Sequence, residues 1–564
     1  MRGFPLTMLA AAAAALLAGC GSDGGSASLP RLAAATPGTL ASCTDLGSRL
    51  NLPGTVIRTA EAVAAGTLTV AGQPVRAHCR VTGAMNQRTS AVDGNSYAIG
   101  FEMRLPQDWN GRFFYQANGG LDGSVLTAVG PVGGGGPLNN ALAQGFAVIS
   151  SDAGHAASQG PNFGIDPQAR LDYGYQAVGT LTPMAKQLIA LAYGRPPDRS
   201  YIGGCSNGGR HAMVAASRYA EQYDGVLVGD PGYRLPLAAI ANMAGVRVYN
   251  ALASTANDPS TGFTLAERTL VSNAVLSRCD ALDGATDGLV QDITACQAAF
   301  NLSRDVPTCT AGRDGSCLTE AQKSGIAGLF TGARTATGRS IYRSFPYDAG
   351  LATTGWSSWK YGNSLTRDPG AVGIVWQVPP EAVAGFNATN FALTADLDGM
   401  LDKVAATNAT YTESAMSFML PPHVDDLGTL KQRGAKMMVY HGTSDPIFSS
   451  DDTDAWYEAL TRRHGAQAAD FARYYRVPGM NHCSGGPATE QFDMLTPLVA
   501  WVEQGQAPGA VTATARGAGN AGGVNADVPA TWSAQRSRPL CPYPQVARYL
   551  GSGDVESAAS FVCR

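Results

Sequence analysis

The chain has 564 residues, 45% of them hydrophobic and 15% charged, a length that accommodates a large core and more than one domain and a composition typical of globular proteins. Its 40 basic and 44 acidic residues leave a formal charge of -4 with no long run of one sign. That balance lacks the electrostatic footprint of a polyanion binder, so nucleic acid is not an expected partner.

Met1-Arg2-Gly3 and the apolar run at 4–17 read as an export signal, too brief and too alanine-rich for a membrane span. Leu17-Ala18-Gly19-Cys20 has the form of a lipoprotein cleavage box in which Cys20 becomes acylated; an ordinary cleaved signal with an incidental cysteine is the alternative. Residues 21–40 read as a flexible tether, so the expected placement is an anchored domain facing the periplasm or the exterior. Of 11 cysteines, setting Cys20 aside leaves ten, which an exported chain can keep oxidised. Sequence does not fix the connectivity. Proximity suggests Cys279 with Cys296, Cys309 with Cys317 and Cys541 with Cys563, leaving Cys43 with Cys79 and Cys205 with Cys483.

Short alternating segments within 50–105 predict antiparallel strands at a sheet edge. Near-continuous apolar runs at 112–117 and 146–150 predict buried parallel strands, followed by a helix over 175–193 and a strand at 200–203. The rhythm breaks between 233 and 423 and returns at 436–442, with helices expected at 454–465 and 492–503 and a strand at 472–477. The fold class is therefore α/β, with a mostly parallel sheet in residues 41–232 and 424–564 and a large insertion at 233–423. The stretch 509–527, rich in Gly, Ala and Thr, is expected to be a surface excursion.

Gly204-Cys205-Ser206-Asn207-Gly208 is a G-x-S-x-G element between a strand and a helix, where a tight turn exposes the serine hydroxyl and glycines relieve crowding. With 68 glycines in the chain the bare pattern is weak, and the strand-turn-helix context carries the reading. In such a fold an acid after a later strand and then a histidine complete the array. Asp445 follows the strand at 436–442, and His482 follows the strand at 472–477. Asp445 would hold the imidazole tautomer while His482 takes the Ser206 proton; a plain turn carboxylate is the bland reading of Asp445. A disulfide between Cys205 and Cys483 would bring Ser206 and His482 into register. The oxyanion hole would combine the backbone N–H of Asn207 with one from the loop Asn118-Gly119-Gly120-Leu121-Asp122-Gly123, Gly120 being favoured over Gly119. His441 and His155 can pack or hydrogen-bond near this site, while His78, His211, His423 and His464 show no ligand spacing, and no zinc site is visible.

The loop from Cys279 to Leu289 carries Asp280, Asp283 and Asp287 with two glycines. Hard oxygen donors on a tight loop suit Ca²⁺ better than a transition metal, with a string of Asx turns as an equal reading.

These residues resemble the tannase and feruloyl esterase family, which includes hydrolases of mono(hydroxyethyl) terephthalate. The resemblance runs from about Cys43 to Cys563 and rests on residues 204–210, Tyr223-Asp224-Gly225-Val226, the 280–289 loop, Tyr440-His441-Gly442 with Asp445-Pro446, and 477–483. It implies an α/β-hydrolase core with an inserted lid, a disulfide joining the neighbours of Ser206 and His482, and a structural calcium in the lid. The calcium ligands would be Asp280, Asp283 and Asp287 through side chains and Ala285 and Leu289 through carbonyls. It further implies a serine carboxylic-ester hydrolase acting on feruloyl, galloyl or terephthalate-type esters, with the lid supplying the acyl pocket. The insertion carries Trp356, Trp359, Trp376, Tyr361, Phe386 and Phe391, which suit a flat ring, although packing inside the insertion accounts equally well for each one. Lys360, Arg343 and Arg367 are candidates to meet a carboxylate or phenolate. Asn207 stands where relatives often carry Thr or Glu, and Gly229-Asp230-Pro231-Gly232 departs from a more apolar pattern. The rival readings are a peptidase or amidase with the same triad, and a non-catalytic surface lipoprotein that binds aromatic ligands.

Overall fold

The computed structural model describes residues 29–131, 134 and 136–564. The predicted signal, Cys20 and the first part of the tether lie outside the described residues. One nine-stranded sheet dominates. In chain order its strands are β1 (Thr55–Val63), β2 (His78–Thr89), β3 (Ser96–Pro106), β4 (Arg112–Gln116), β5 (Ala147–Ser151), β6 (Arg199–Cys205), β7 (Gly225–Gly229), β8 (Lys436–Gly442) and β9 (Ala472–Val477). Across the sheet the order is β9-β8-β7-β6-β4-β5-β3-β2-β1. From β9 to β5 every pair is parallel, and β3, β2 and β1 continue antiparallel at one edge.

Alternation along the parallel strands divides the apolar side chains between two cores. Ile202, Val226, Val228, Met437 and Val439 face one core, and Tyr201, Leu227, Met438 and Tyr440 face the other. Helices α1 (Ala177–Tyr193), α2 (Asn207–Arg218) and, later in the chain, α6 (Ser450–His464) contribute to the first core through Leu181, Leu188, Met213, Trp456 and Leu460. Helix α7 (Leu495–Gln504) closes the second through Leu498 and Trp501.

Between β7 and β8 the chain is helical, with α3 (Leu235–Ala251), α4 (Leu265–Cys279) and α5 (Glu320–Phe330) followed by short helical pieces. The insertion is not one packing unit. Phe263, Val271, Val275, Trp356 and Tyr361 form a core of their own, whereas Ile240 of α3 and residues such as Val372 and Met400 join the first core of the sheet. Helical periodicity is hard to read here because the regular pitch is interrupted by π-turns at Ser358–Asn363 and Ala371–Trp376.

Five disulfides join Cys43–Cys79, Cys205–Cys483, Cys279–Cys296, Cys309–Cys317 and Cys541–Cys563. Two expectations need correction. The stretch 509–527 is a surface excursion only in its second part: Val511–Thr514 pairs with Ser537–Leu540, and Val511, Ala513 and Ala515 are buried against the sheet's second core and Trp532, whereas most of 516–527 is exposed or half-buried irregular chain. The tether also ends before 40. The Ala35 N–H donates to Glu503 (2.9 Å), and Gly38–Thr39 pairs with Asp108–Trp109. Among the described residues no helix is long and apolar enough to cross a membrane.

Glu503 at the end of α7 ties three elements together. It accepts two hydrogen bonds from Arg112 (2.6 Å each), one from the Tyr201 hydroxyl (2.8 Å) and the one from Ala35, at 4% exposure. Removing one partner of a buried pair leaves the other charge uncompensated. Glu503→Ala should therefore lower stability by about 3 kcal/mol, read as a lower guanidinium midpoint; an unchanged midpoint would show that water replaces the carboxylate.

Candidate active site

The loops that leave the C-terminal ends of β4, β6, β8 and β9 converge on one side of the sheet, where open α/β sheets hold their ligands. At the end of β6 the chain turns directly into α2 through Ser206, at φ 68° and ψ -128°. That left-handed conformation is strained for a serine and pushes its hydroxyl out of the turn. The turn is possible because its flanks lack side chains. A Cβ on Gly204 or on Gly208 would lie 2.3 Å from the Ala117 carbonyl oxygen.

His482 Nε2 lies 2.8 Å from Ser206 Oγ, and its Nδ1 lies 2.7 Å from Asp445 Oδ2. Because Nδ1 faces a carboxylate it carries the proton, which leaves Nε2 to accept from the serine hydroxyl. Asp445 is fixed through its other oxygen, which accepts the N–H groups of Ile447 (2.8 Å) and Phe448 (3.0 Å). Cys205–Cys483 joins the residue before Ser206 to the residue after His482 across 278 positions, with Cα atoms 6.0 Å apart. The array can deprotonate a serine hydroxyl and stabilise the resulting imidazolium.

Behind Asp445 stands a second histidine. His441 Nε2 faces acceptors only: the Phe448 carbonyl at 3.1 Å, Asp445 Oδ2 at 3.3 Å and Asp230 Oδ1 at 3.8 Å. It therefore donates, while Nδ1 meets the Thr453 hydroxyl at 2.8 Å. Burial acts to raise the Asp445 carboxyl, but His482 and His441 hold it well below the usual carboxylate range. Burial pushes Asp230 up to about 7, against the His441 charge. Burial depresses His441, yet the hydrogen bond to Asp445 and the two carboxylate charges leave it above its ordinary value. The sequence placed His441 near the site without a definite role and marked Asp230 only as part of the 229–232 departure from an apolar pattern, its one further signal being an acid before proline at the end of a buried strand.

Of the two oxyanion candidates in the 118–123 loop, Gly119 lies nearer the nucleophile: its added Cβ would be 3.7 Å from Ser206 Cβ, whereas one on Gly120 would meet Arg367 at 2.7 Å. Gly119 thus lies beside the serine. Among the described residues the amides of Gly119, Gly120 and Asn207 donate to no protein acceptor.

The three tryptophans separate. Trp359 stands edge-on to His482 (centroids 5.2 Å apart), with Arg367 5.1 Å over its ring, and Phe448 flanks His482 at 5.2 Å. Trp356 is instead packed among Tyr249, Phe263 and Tyr361 in the insertion's own core, and lines a small cavity of about 30 Å³ that Asp445 also borders. Trp376 is fully buried in the main core. Neither is positioned to grip a ring at Ser206, because Trp356, on the short helix Thr354–Ser357, and Trp376, at the end of the turn Ala371–Trp376, are both packed into cores. Of the three cations, Arg343 is exposed and faces Asp452. Lys360 bonds Asn242 (3.3 Å) and lies over Phe345, and burial drops it to about 8 despite Asp445 and Asp368 nearby. Arg367 makes no ion pair among the described residues. His155 stacks on Phe163 (3.7 Å), where burial lowers it to about 4.

In the 280–289 loop, Asp280 accepts the N–H groups of Asp287 (3.0 Å) and Gly288 (2.9 Å), and Asp287 also pairs with Arg538. Asp283 Oδ1 accepts from Ala285 (3.0 Å), but its Oδ2 is buried without a partner. Burial and the Asp287 and Asp280 charges push Asp283 up to about 7. The carbonyls of Ala285 and Leu289 accept no hydrogen bond among the described residues. The orphaned Asp283 oxygen and the two carbonyls are hard-oxygen donors of the kind Ca²⁺ takes, although the carboxylates of Asp280, Asp283 and Asp287 do not gather within 4.8 Å of one another.

A family model described as tannase and feruloyl esterase matches residues 79–564. The chain is 39% identical over 549 residues to a mono(2-hydroxyethyl) terephthalate hydrolase of Piscinibacter sakaiensis, covering 90% of this chain and 88% of that protein. It is 27% identical over 516 residues to feruloyl esterase C of Talaromyces stipitatus, covering 86% and 85%. The crystal structure of feruloyl esterase B from Aspergillus oryzae superposes with a TM-score of 0.71 at 24% identity, over 93% of this chain and 99% of that one, a likeness of fold.

Truncating a buried tryptophan removes packing and leaves a cavity. Trp356→Ala and Trp376→Ala should each cost about 3–5 kcal/mol, while Trp359→Ala should cost clearly less. Chemical denaturation measures all three, and equal losses would mean that Trp359 is core as well.

Proposed function

This chain belongs to the tannase and feruloyl esterase family and is a carboxylic ester hydrolase, and we propose that it cleaves esters of aromatic acids through an acyl intermediate on Ser206. The observation that carries the mechanism is the continuous path from Ser206 Oγ through His482 to Asp445, at 2.8 and 2.7 Å.

Ser206 Oγ attacks the ester carbonyl while His482 Nε2 takes its proton. Asp445 holds the Nδ1–H tautomer and stabilises the imidazolium. The carbonyl oxygen becomes an oxyanion that the amides of Asn207 and of Gly120 or Gly119 receive. His482 then returns the proton to the leaving alcohol, and water, deprotonated by the same imidazole, releases the acid and restores Ser206. Aromatic acyl groups are supported by Trp359 and Phe448, whose rings border His482, and Arg367 is the cation placed to meet an anionic or phenolic substituent.

The 280–289 loop is proposed to bind Ca²⁺ through Asp280, Asp283, Asp287 and the carbonyls of Ala285 and Leu289. Calcium would neutralise the crowded carboxylates there and takes no part in acyl transfer. Export and a lipid on Cys20 remain part of the proposal, supported by the disulfides, which suit an oxidising compartment.

Methyl ferulate, methyl gallate and mono(hydroxyethyl) terephthalate, each beside its amide counterpart, test the reading. At least one ester should turn over, and Ser206→Ala should reduce its kcat by roughly 10⁶-fold. Faster cleavage of the amides would instead favour a peptidase. For the metal, EGTA should lower the thermal midpoint and added calcium restore it, because a cation at a hundred times its Kd contributes about 2.7 kcal/mol to stability. A midpoint indifferent to both would rule out a structural calcium.

A further inference from the structure

The residue after the nucleophile carries more than a backbone donor. Asn207 is buried at 1% exposure, and both ends of its amide are engaged. Its Oδ1 accepts from Arg210 Nε (2.6 Å), and its Nδ2 donates to Asp122 Oδ2 (2.8 Å). His211 runs in parallel: its Nε2 lies 2.9 Å from the same Asp122 oxygen, and Arg210 Nη2 lies 3.2 Å from its Nδ1. Two neutral side chains on the first turn of α2 thus bridge a buried guanidinium and a buried carboxylate. Burial holds the Asp122 carboxyl well above its ordinary value although the Arg210 charge opposes it, and the side chains of Asn207 and His211 both meet the same Asp122 oxygen.

Asp122 belongs to the other half of the oxyanion site. It lies in the loop after β4, in a left-handed conformation (φ 55°), and its own N–H closes a turn on the Gly119 carbonyl at 3.2 Å. That turn contains Gly119 and Gly120. A non-glycine residue held at positive φ persists where its surroundings fix it, and here the fixing contacts are Asn207 and His211. Asp122 at one end and Asn207 at the other therefore span the space between the two sets of amides.

We propose that Asp122 is a positioning residue which, through the Asn207 side chain and His211, sets the separation of the two halves of the oxyanion hole. The inference rests on the acyl-transfer reading of Ser206. Oxyanion donors act only when aimed where charge develops, and a displacement on the order of 1 Å can cost about 100-fold in rate. The Asn207 side chain thereby matters even though the oxygen is received by its backbone.

The test uses the full chain with p-nitrophenyl acetate as substrate and benzeneboronic acid as a tetrahedral analogue. Asn207→Ala keeps the backbone N–H, and should still lower kcat by about 10- to 100-fold with KM within about twofold and benzeneboronic acid binding weakened in step. Asp122→Ala should do the same, the double variant should be no worse than the poorer single, and Asp122→Asn, which keeps an acceptor oxygen, should recover most of the loss. If Asp122→Ala unfolds, judged by circular dichroism, Asn207→Ala and Asp122→Asn decide the matter. Full kcat and full boronate affinity in Asn207→Ala would overturn the proposal, as would losses that multiply in the double variant. A wild-type chain that neither hydrolyses the ester nor binds the boronate would overturn the acyl-transfer reading itself, whereas wild-type activity that the variants retain overturns only the positioning role.

Discussion

One covalent bond, Cys205–Cys483, holds together two loops that the chain separates by 278 residues. Its half-cystines adjoin Ser206 and His482, so the separation between nucleophile and imidazole is bounded by a linkage rather than by packing alone. Both loops need that help. Ser206 and Cys483 sit at φ 68° and 64°, conformations that side-chain-bearing residues adopt at a cost. A disulfide limits how far such strained turns can relax apart, and what remains for weaker forces is orientation.

Orientation comes from buried charge. Asp445, His441 and Asp230 are all fully enclosed, and each finds its partners within the cluster, on backbone groups or, for His441 Nδ1, on the Thr453 hydroxyl. In a medium of low dielectric such groups are expensive unless satisfied, and satisfied groups permit few arrangements. A similar economy recurs at Glu503, where Arg112, Tyr201 and the N-terminal segment share one carboxylate. The ends of the parallel strands are thus pinned on the active-site side by one set of charges and on the far side by another.

The fold class and the places of Ser206, Asp445 and His482 were legible because each lies in a short pattern whose meaning is local: strand, tight turn, helix for the serine, and strand ends for the other two. Cysteine spacing was legible for the same reason in the pairs 279–296, 309–317 and 541–563. What was not legible is the partner a buried polar side chain will meet across the fold. Asp122 with Asn207, and Asp230 with His441, are contacts between segments far apart in sequence, and no periodicity announces them. The tryptophans failed differently. Trp356, Trp359 and Trp376 are equal as composition, but the packing of the short helical pieces that carry them decides which ring is buried in a core, and of the three only Trp359 lies against His482. The buried strand at Val511–Thr514 was read as a loop because small residues that pack well look the same as small residues that do not pack at all.

The inner strip of the insertion is fastened to the catalytic loops rather than resting on them. Asp348 bonds Thr443 and accepts the Gly479 N–H at 3.2 Å, the Gly350 N–H donates to Ser444 at 3.1 Å, and Asn481 donates to Thr353 at 2.6 Å. Acid loop and histidine loop therefore share one bracket supplied by residues 348–353. In a chimaera that exchanges the insertion between two such enzymes, the natural seams lie outside this bracket, and a graft that kept the rings around Trp359 but replaced residues 348–353 would import a substrate wall while dismantling the mount of the triad.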